Sequence, residues 1–176
     1  MDLEVPTIIK LTENHEILHF DCGDKDLNEF LYDDAKPHYS NLLSVTYLLE
    51  KDGKTAAFFS VLNDKLCIED LDSKNQWKKI FQGRLNQRKR FKSYPAVKIG
   101  RFAVHQEFQR AHLGGSLLDY IKGWFISNNK TGCMYLTVDA YKDSLRFYEK
   151  NQFNYLSNRD AAADTRLMYY DLTQLK

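Results

Sequence analysis

The residues best suited to chemistry lie between Tyr94 and Tyr120, YPAVKIGRFAVHQEFQRAHLGGSLLDY. Gln109 to Gly115 is a polar, small-residue turn ending in two glycines. It follows an apolar, β-branched run, Ala96 to Val104. It precedes Ser116 to Phe125, where Leu117, Leu118, Ile121, Trp124 and Phe125 recur at helical spacing. A strand feeding a glycine turn that opens a helix is an anion site, because the first-turn amides have no intrahelical acceptor and the helix dipole adds positive potential. The chemistry to expect there is a cradle for the pyrophosphate of a cofactor. His105, Glu107 and Asp139 lie near the ends of predicted strands that would border such a cleft. Each suits a structural or solvated role as well as that of a base, so the sequence assigns no base.

The elements that must position this turn are legible in outline. Thr7 to Leu11 reads as a first strand. Asp24 is an N-cap for a helix with Leu27, Phe30 and Leu31 on its apolar face, closed by Pro37. Ser44 to Glu50 and Thr55 to Leu62 are strand-like runs flanking Asp52-Gly53, a hairpin signal. Lys65 to Leu71 is ambiguous, and residues 73–93 read as a basic helix plus connector. After the strand–turn–helix, Asn128-Asn129 and Gly132 mark a turn and Cys133 to Val138 a strand. Lys142 to Lys150 is a short helix. Phe153 to Leu156 and Arg166 to Leu172 are the last strands. This mixture, with only two strand–helix–strand units, predicts one domain over residues 1–176: an α/β fold with a mixed sheet and helices on both faces.

Bulk properties exclude several classes. Hydrophobic content of 43% and charged content of 28% are ordinary for a globular chain. No 18-residue apolar run suggests a transmembrane helix. The acidic N-terminus lacks the apolar core of a signal peptide, and the three cysteines have no metal spacing; both predict a cytoplasmic protein with reduced thiols. The net charge of +1 hides an asymmetry: residues 1–72 hold 16 Asp/Glu against 6 Lys/Arg, whereas residues 74–93 hold eight Lys/Arg and no acid. Trp77, Phe81 and Phe91 interleave with those cations, a pattern suited to RNA or an acidic substrate and equally to a solvated basic helix.

At Gln109 to Gly114 the chain resembles the GCN5-related N-acetyltransferases, whose signature is Gln/Arg-x-x-Gly-x-Gly/Ala; His112 stands where the first glycine is expected. Val138-Asp139-Ala140, followed by Phe147-Tyr148-Glu149-Lys150-Asn151-Gln152-Phe153, resembles the family's second signature, with Gln152 replacing a glycine. Phe20-Asp21-Cys22-Gly23 with Leu27 to Leu31, and Gly100 to Val104, are similar to the acetyltransferase toxins of toxin–antitoxin pairs, which acetylate the free amine of aminoacyl-tRNA.

The resemblance implies acetyl-CoA as cosubstrate and transfer of its acetyl group to a primary amine. The acceptor would be a small molecule, a peptide or aminoacyl-tRNA, with residues 74–93 as a possible RNA contact. It implies cofactor contacts from Gln109, Arg110, Ala111, His112, Leu113, Gly114, Gly115 and Ser116, and pantetheine pairing with Phe102, Ala103 and Val104, where one amide faces the oxyanion. Tyr148 would be the general acid, neutral at pH 7 by its ordinary pKa of about 10. Arg101 and Asp139 are candidate acceptor contacts. No metal is implied, and the chain would act as a monomer or homodimer. The same fold stripped of catalysis, sensing CoA or binding a protein, is the competing class.

Overall fold

The computed structural model describes residues 7–81, 92–127 and 131–176. Seven strands form one mixed sheet: β1 (Thr7–Lys10), β2 (Val45–Lys51), β3 (Lys54–Cys67), β4 (Ser93–Val104), β5 (Tyr135–Tyr141), β6 (Asn154–Tyr155) and β7 (Thr165–Asp171), in the order β1-β2-β3-β4-β5-β7-β6. The pairs β1/β2, β2/β3, β5/β7 and β6/β7 are antiparallel, and β4/β5 is parallel over Ala96–Lys98. The helices are α1 (Lys25–Glu29), α2 (Ala35–Ser40), α3 (Lys74–Phe81), α4 (Leu113–Ile126) and α5 (Leu145–Lys150). The chain divides into two compact units, Met1–Leu62 with Ile99–Ile121, and Asn63–Lys98 with Lys122–Lys176.

The first unit owes its form to local signals that work as expected. Asp24 caps α1, its carboxylate accepting from the Leu27 amide at 3.1 Å. Asp52 and Gly53 adopt φ of 51° and 72°, the pair of positive values that a two-residue hairpin with the twist of β2 and β3 requires. Pro37 does not close the first helix. Phe30–Asp34 forms a π-helical turn, and the helical backbone runs on through Pro37 to Ser40 as α2. Leu11, Phe20, Phe30, Leu31, Leu48, Phe58 and Ala103 form the core. Gly100 is a packing glycine: a Cβ there would meet the Leu62 side chain at 2.8 Å.

In the second unit β3 runs on through the ambiguous stretch to Cys67, followed by a 3-10 turn at Ile68–Asp70. Tyr94, Ala96, Tyr135, Leu66, Leu71 and Leu156 make its core, with Trp77 of α3 against Tyr94 at 5.3 Å between ring centroids. Of the basic segment, Lys74, Lys78 and Lys79 lie on α3. Arg84, Arg88, Lys89, Arg90 and Phe91, and the Asn128-Asn129 turn, lie outside the described residues. Cys22, Cys67 and Cys133 are unpaired.

Candidate active site

The turn after β4 is built by left-handed residues rather than by its glycines. Beyond Val104, a 3-10 turn spans Gln106–Phe108, and the Gln109 amide closes it on Gln106 O at 3.2 Å. Arg110 and His112 then take φ of 64° and 59°. The Ser116 amide donates to His112 O at 3.1 Å, so α4 begins at Leu113 and both glycines lie inside its first turn, three residues earlier than the apolar spacing indicates. The amides of Leu113, Gly114 and Gly115 have no acceptor further back in the helix. Alternating backbone handedness at Arg110–His112 is the pattern of an anion-binding nest. The glycines serve another purpose, a first turn without Cβ atoms where a ligand can approach the backbone. Ser116 is exposed, its hydroxyl on the same turn, while its amide is already spent.

The N-terminal signature holds this turn in place. The Gln106 amide donates to Asp21 O at 2.8 Å, and Gln109 Nε2 donates to Cys22 O at 3.0 Å and to Val104 O at 2.9 Å. Asp21 Oδ1 accepts from the Gly23 amide and from Asn28 Nδ2, both at 2.8 Å, and Asn28 Oδ1 accepts from the Cys22 amide at 3.0 Å. The Gly23 amide above all, then Asn28, holds the Asp21 carboxyl below its ordinary pKa. Gly23 has φ of 85°, and a Cβ on it would meet Gln106 Nε2 at 3.2 Å. The Gln109 side chain is thus a clasp between β4 and the 20–28 loop. No periodicity joins the two motifs in the sequence; the Asp-x-Gly turn with an Asn seven residues after the Asp is the available sign of that clasp.

The remaining candidates fall into distinct settings. Phe102, Ala103 and Val104 lie past Lys98, where the register with β5 ends. Arg101 is exposed, with its guanidinium 5.0 Å from the Phe30 ring centroid and bonded to Gly100 O at 2.8 Å. His105 is buried among Phe20, Phe108 and His19, and its Nδ1 accepts from the Glu107 amide. Glu107 binds Lys54 through both oxygens, at 2.6 and 2.7 Å, and this bond first of all lowers its pKa. In the second unit Asp139 pairs with Lys98 at 2.8 Å. All three candidate bases are therefore engaged with protein groups.

Tyr148, also in the second unit, is 6% exposed on α5, and burial pushes its phenol well above the ordinary tyrosine value rather than leaving it there. Its ring meets Phe147 and Phe153 edge-on, at 5.2 and 5.4 Å. The helix ends in a Schellman motif. The Phe153 amide donates to Tyr148 O at 3.0 Å, the Gln152 amide to Glu149 O at 2.9 Å, and Gln152 takes φ of 67°. Both residues that replace expected glycines, His112 and Gln152, hold the backbone conformation a glycine would take.

A helix-N-terminal nest after a central strand of a mixed α/β sheet suits a cofactor that carries phosphate. The acetyltransferase (GNAT) family model matches residues 11–153, and the chain belongs to that family. It is an acetyltransferase of the kind that uses acetyl-CoA as cosubstrate. Among solved structures, AtaT complexed with acetyl-methionyl-tRNAfMet is similar at TM-score 0.77 and 20% identity over 97% of each chain. AtaTR bound with AcCoA is similar at 0.76 and 21%, over 99% of this chain and 97% of that one. A tyrosine-to-phenylalanine variant of the AtaT toxin, bound to the C-terminus of the antitoxin AtaR, is similar at 0.74 and 18%, over 98% and 95%. At these identities the likeness is one of fold. No curated protein matches the sequence. Among the described residues no helix is long and apolar enough to cross a membrane.

Proposed function

We propose that a single N-acetyltransferase domain over residues 1–176 passes the acetyl group of acetyl-CoA to a primary amine, which attacks the thioester directly. The observation that carries this is the pair of left-handed residues at Arg110 and His112. Such strain costs about 1 kcal/mol or more per residue and persists where surrounding bonds hold it, as Gln106 and Gln109 hold this turn. The amides of Leu113 to Gly115 hold the pyrophosphate, and Arg110 and the Ser116 hydroxyl add contacts. Phe102 to Val104 pair through their backbone with the pantetheine arm and turn an amide toward the oxyanion. Tyr148 gives a proton to the departing thiolate. Because burial disfavours its phenolate, that proton is regained within the same turnover. Arg101 and Asp139 are the residues that contact the acceptor in this reading. With His105, Glu107 and Asp139 engaged elsewhere, the amine loses its proton through water.

Among acceptors, the α-amine of an aminoacyl-tRNA is favoured by the fold's likeness to the AtaT–tRNA complex and by Lys74, Lys78 and Lys79 on α3. That amine is already substantially neutral and needs no strong base. The three unpaired cysteines suit the cytoplasm. Against a catalytically silent module, His112 and Gln152, which replace expected glycines, both hold the glycine-like backbone.

Titration calorimetry with acetyl-CoA tests the cofactor site, and no heat at millimolar concentration overturns it. Release of CoA thiol in the presence of pooled aminoacyl-tRNAs, against free amines and peptides, tests the acceptor. Binding of tRNA that falls steeply with salt supports the RNA reading, and flat, weak binding with turnover on small amines replaces it.

A further inference from the structure

Lys122 lies on α4 with only 3% of its surface exposed. A buried ammonium is costly unless its charge is met, and a methionine would fill the same space without that cost. Three of the groups that meet the charge lie in one place. Lys122 Nζ donates to Asn151 O at 2.9 Å. Asn151 is the C-cap of α5, at the negative end of that helix, and its own Nδ2 donates to Phe147 O at 2.8 Å. The same ammonium stands 4.3 Å from the Tyr170 ring centroid and 5.9 Å from that of Phe153. Phe153 packs on Tyr148 at 5.4 Å and on Tyr170 at 5.7 Å, and its amide donates to the carbonyl of Tyr148 itself. The cation thus touches the cap of the helix, and the aromatic ring against which Tyr148 rests.

We propose that Lys122 is a positioning residue: it locks the C-terminal turn of α5 and the Phe153–Tyr170 cluster, and so fixes the ring of Tyr148. The inference rests on the acid role of Tyr148 given above. Lys122 touches neither the cofactor nor the acceptor. Its influence on turnover passes through the direction in which the phenol points, because a misplaced donor is a poor one even when its protonation is right.

The test is Lys122→Met, which keeps an unbranched side chain one heavy atom shorter and removes the ammonium. The first readout needs no acceptor. In protein labelled with 3-fluorotyrosine, the Tyr148 resonance is identified by its absence in Tyr148→Phe. In Lys122→Met that resonance is expected to shift and broaden, while that of Tyr32 in the first unit stays put. A Tyr148 resonance unchanged in position and width overturns the proposal. The second readout is CoA release with pooled aminoacyl-tRNAs. Lys122→Met should lower kcat about tenfold, leave KM for acetyl-CoA within about twofold, and have almost no further effect in a Tyr148→Phe background. An equal loss in both backgrounds means a general structural role and overturns the proposal. If Tyr148→Phe itself leaves turnover unchanged, the acid role fails, and the fluorine spectrum still decides whether Lys122 fixes the ring. Where Lys122→Met does not fold, Tyr170→Leu removes the face beneath the ammonium and carries the same expectations.

Discussion

Replacing His112 tests whether the cofactor turn works through its backbone. His112 has φ of 59°, in the region open to glycine and costing other residues about 1–2 kcal/mol. Histidine is among the better-tolerated types, so the lower figure applies, about 1 kcal/mol. Glycine recovers that strain but returns about 0.5 kcal/mol to the greater freedom of the unfolded chain. His112→Gly is therefore expected to stabilise by about 0.5 kcal/mol, a rise of roughly 1–2 °C in Tm for a chain of this size. His112→Val goes the other way, because a β-branched residue is a true outlier at this φ, and it should lose several degrees. Scanning calorimetry of the pair reads the difference directly. Acetyl-CoA affinity provides the second arm. If the nest acts through the amides of Leu113 to Gly115, Kd for His112→Gly stays within about threefold of the parent, roughly 0.65 kcal/mol. A Val variant as stable as the Gly variant removes the strain argument. A loss of affinity beyond tenfold in His112→Gly means that the imidazole itself touches the cofactor, and the backbone account fails.

Gln152→Gly should likewise raise Tm by roughly 1–2 °C, since φ of 67° in the Schellman motif carries the same strain; a fall would show that the Gln152 side chain matters more than its backbone. Thr46 is fully buried with its hydroxyl unpartnered, so Thr46→Val should stabilise by about 1 kcal/mol, and a lower denaturation midpoint would refute the orphaned hydroxyl. Tyr148→Phe should lower turnover by roughly 10²–10⁴, which steady-state CoA release measures. Because the folded pKa of Tyr148 is raised, its contribution to stability is complete below about pH 10 and fades as pH climbs toward the folded value; chemical denaturation should show less alkaline loss in Tyr148→Phe than in the parent. Burial pushes the Cys133 thiol up to about 11, so iodoacetamide should label it slowly at pH 8 and faster toward that value, and rapid labelling at pH 8 would contradict its burial.

What the sequence made legible was local. The Asp24 cap and the Asp52-Gly53 hairpin each depend on a few adjacent residues, and both form as their chemistry requires. Pro37 reads as a helix stop in the sequence but not in the structure, because the π-helical turn just before it has no sequence pattern of its own. The start of α4 was placed too late because glycines usually punctuate, whereas here they lie inside the first turn. The clasp of Gln109 on Cys22 joins residues 87 positions apart, and no periodicity connects them. Lys122 stands four residues after Leu118 and three before Phe125, on the apolar stripe of α4, and that spacing is the available sign that its ammonium is buried.

The two missing glycines are compensated by different physics. At His112 the turn is held from outside: Gln109 and Gln106 tie it to Val104, Cys22 and Asp21, so the backbone has little freedom to relax from the left-handed form. At Gln152 the constraint is the helix end, whose two Schellman bonds form only if that residue turns left-handed, with the Lys122 ammonium fixed on the adjoining carbonyl. A glycine would reach either conformation unaided. A side chain reaches it only where neighbouring bonds outweigh about 1 kcal/mol of strain. Weakening the clasp should therefore matter more in this chain than in the His112→Gly variant: Gln109→Ala should cost acetyl-CoA affinity in the parent and less in the variant. Equal losses in the two backgrounds would mean that Gln109 binds the cofactor directly instead of shaping the turn.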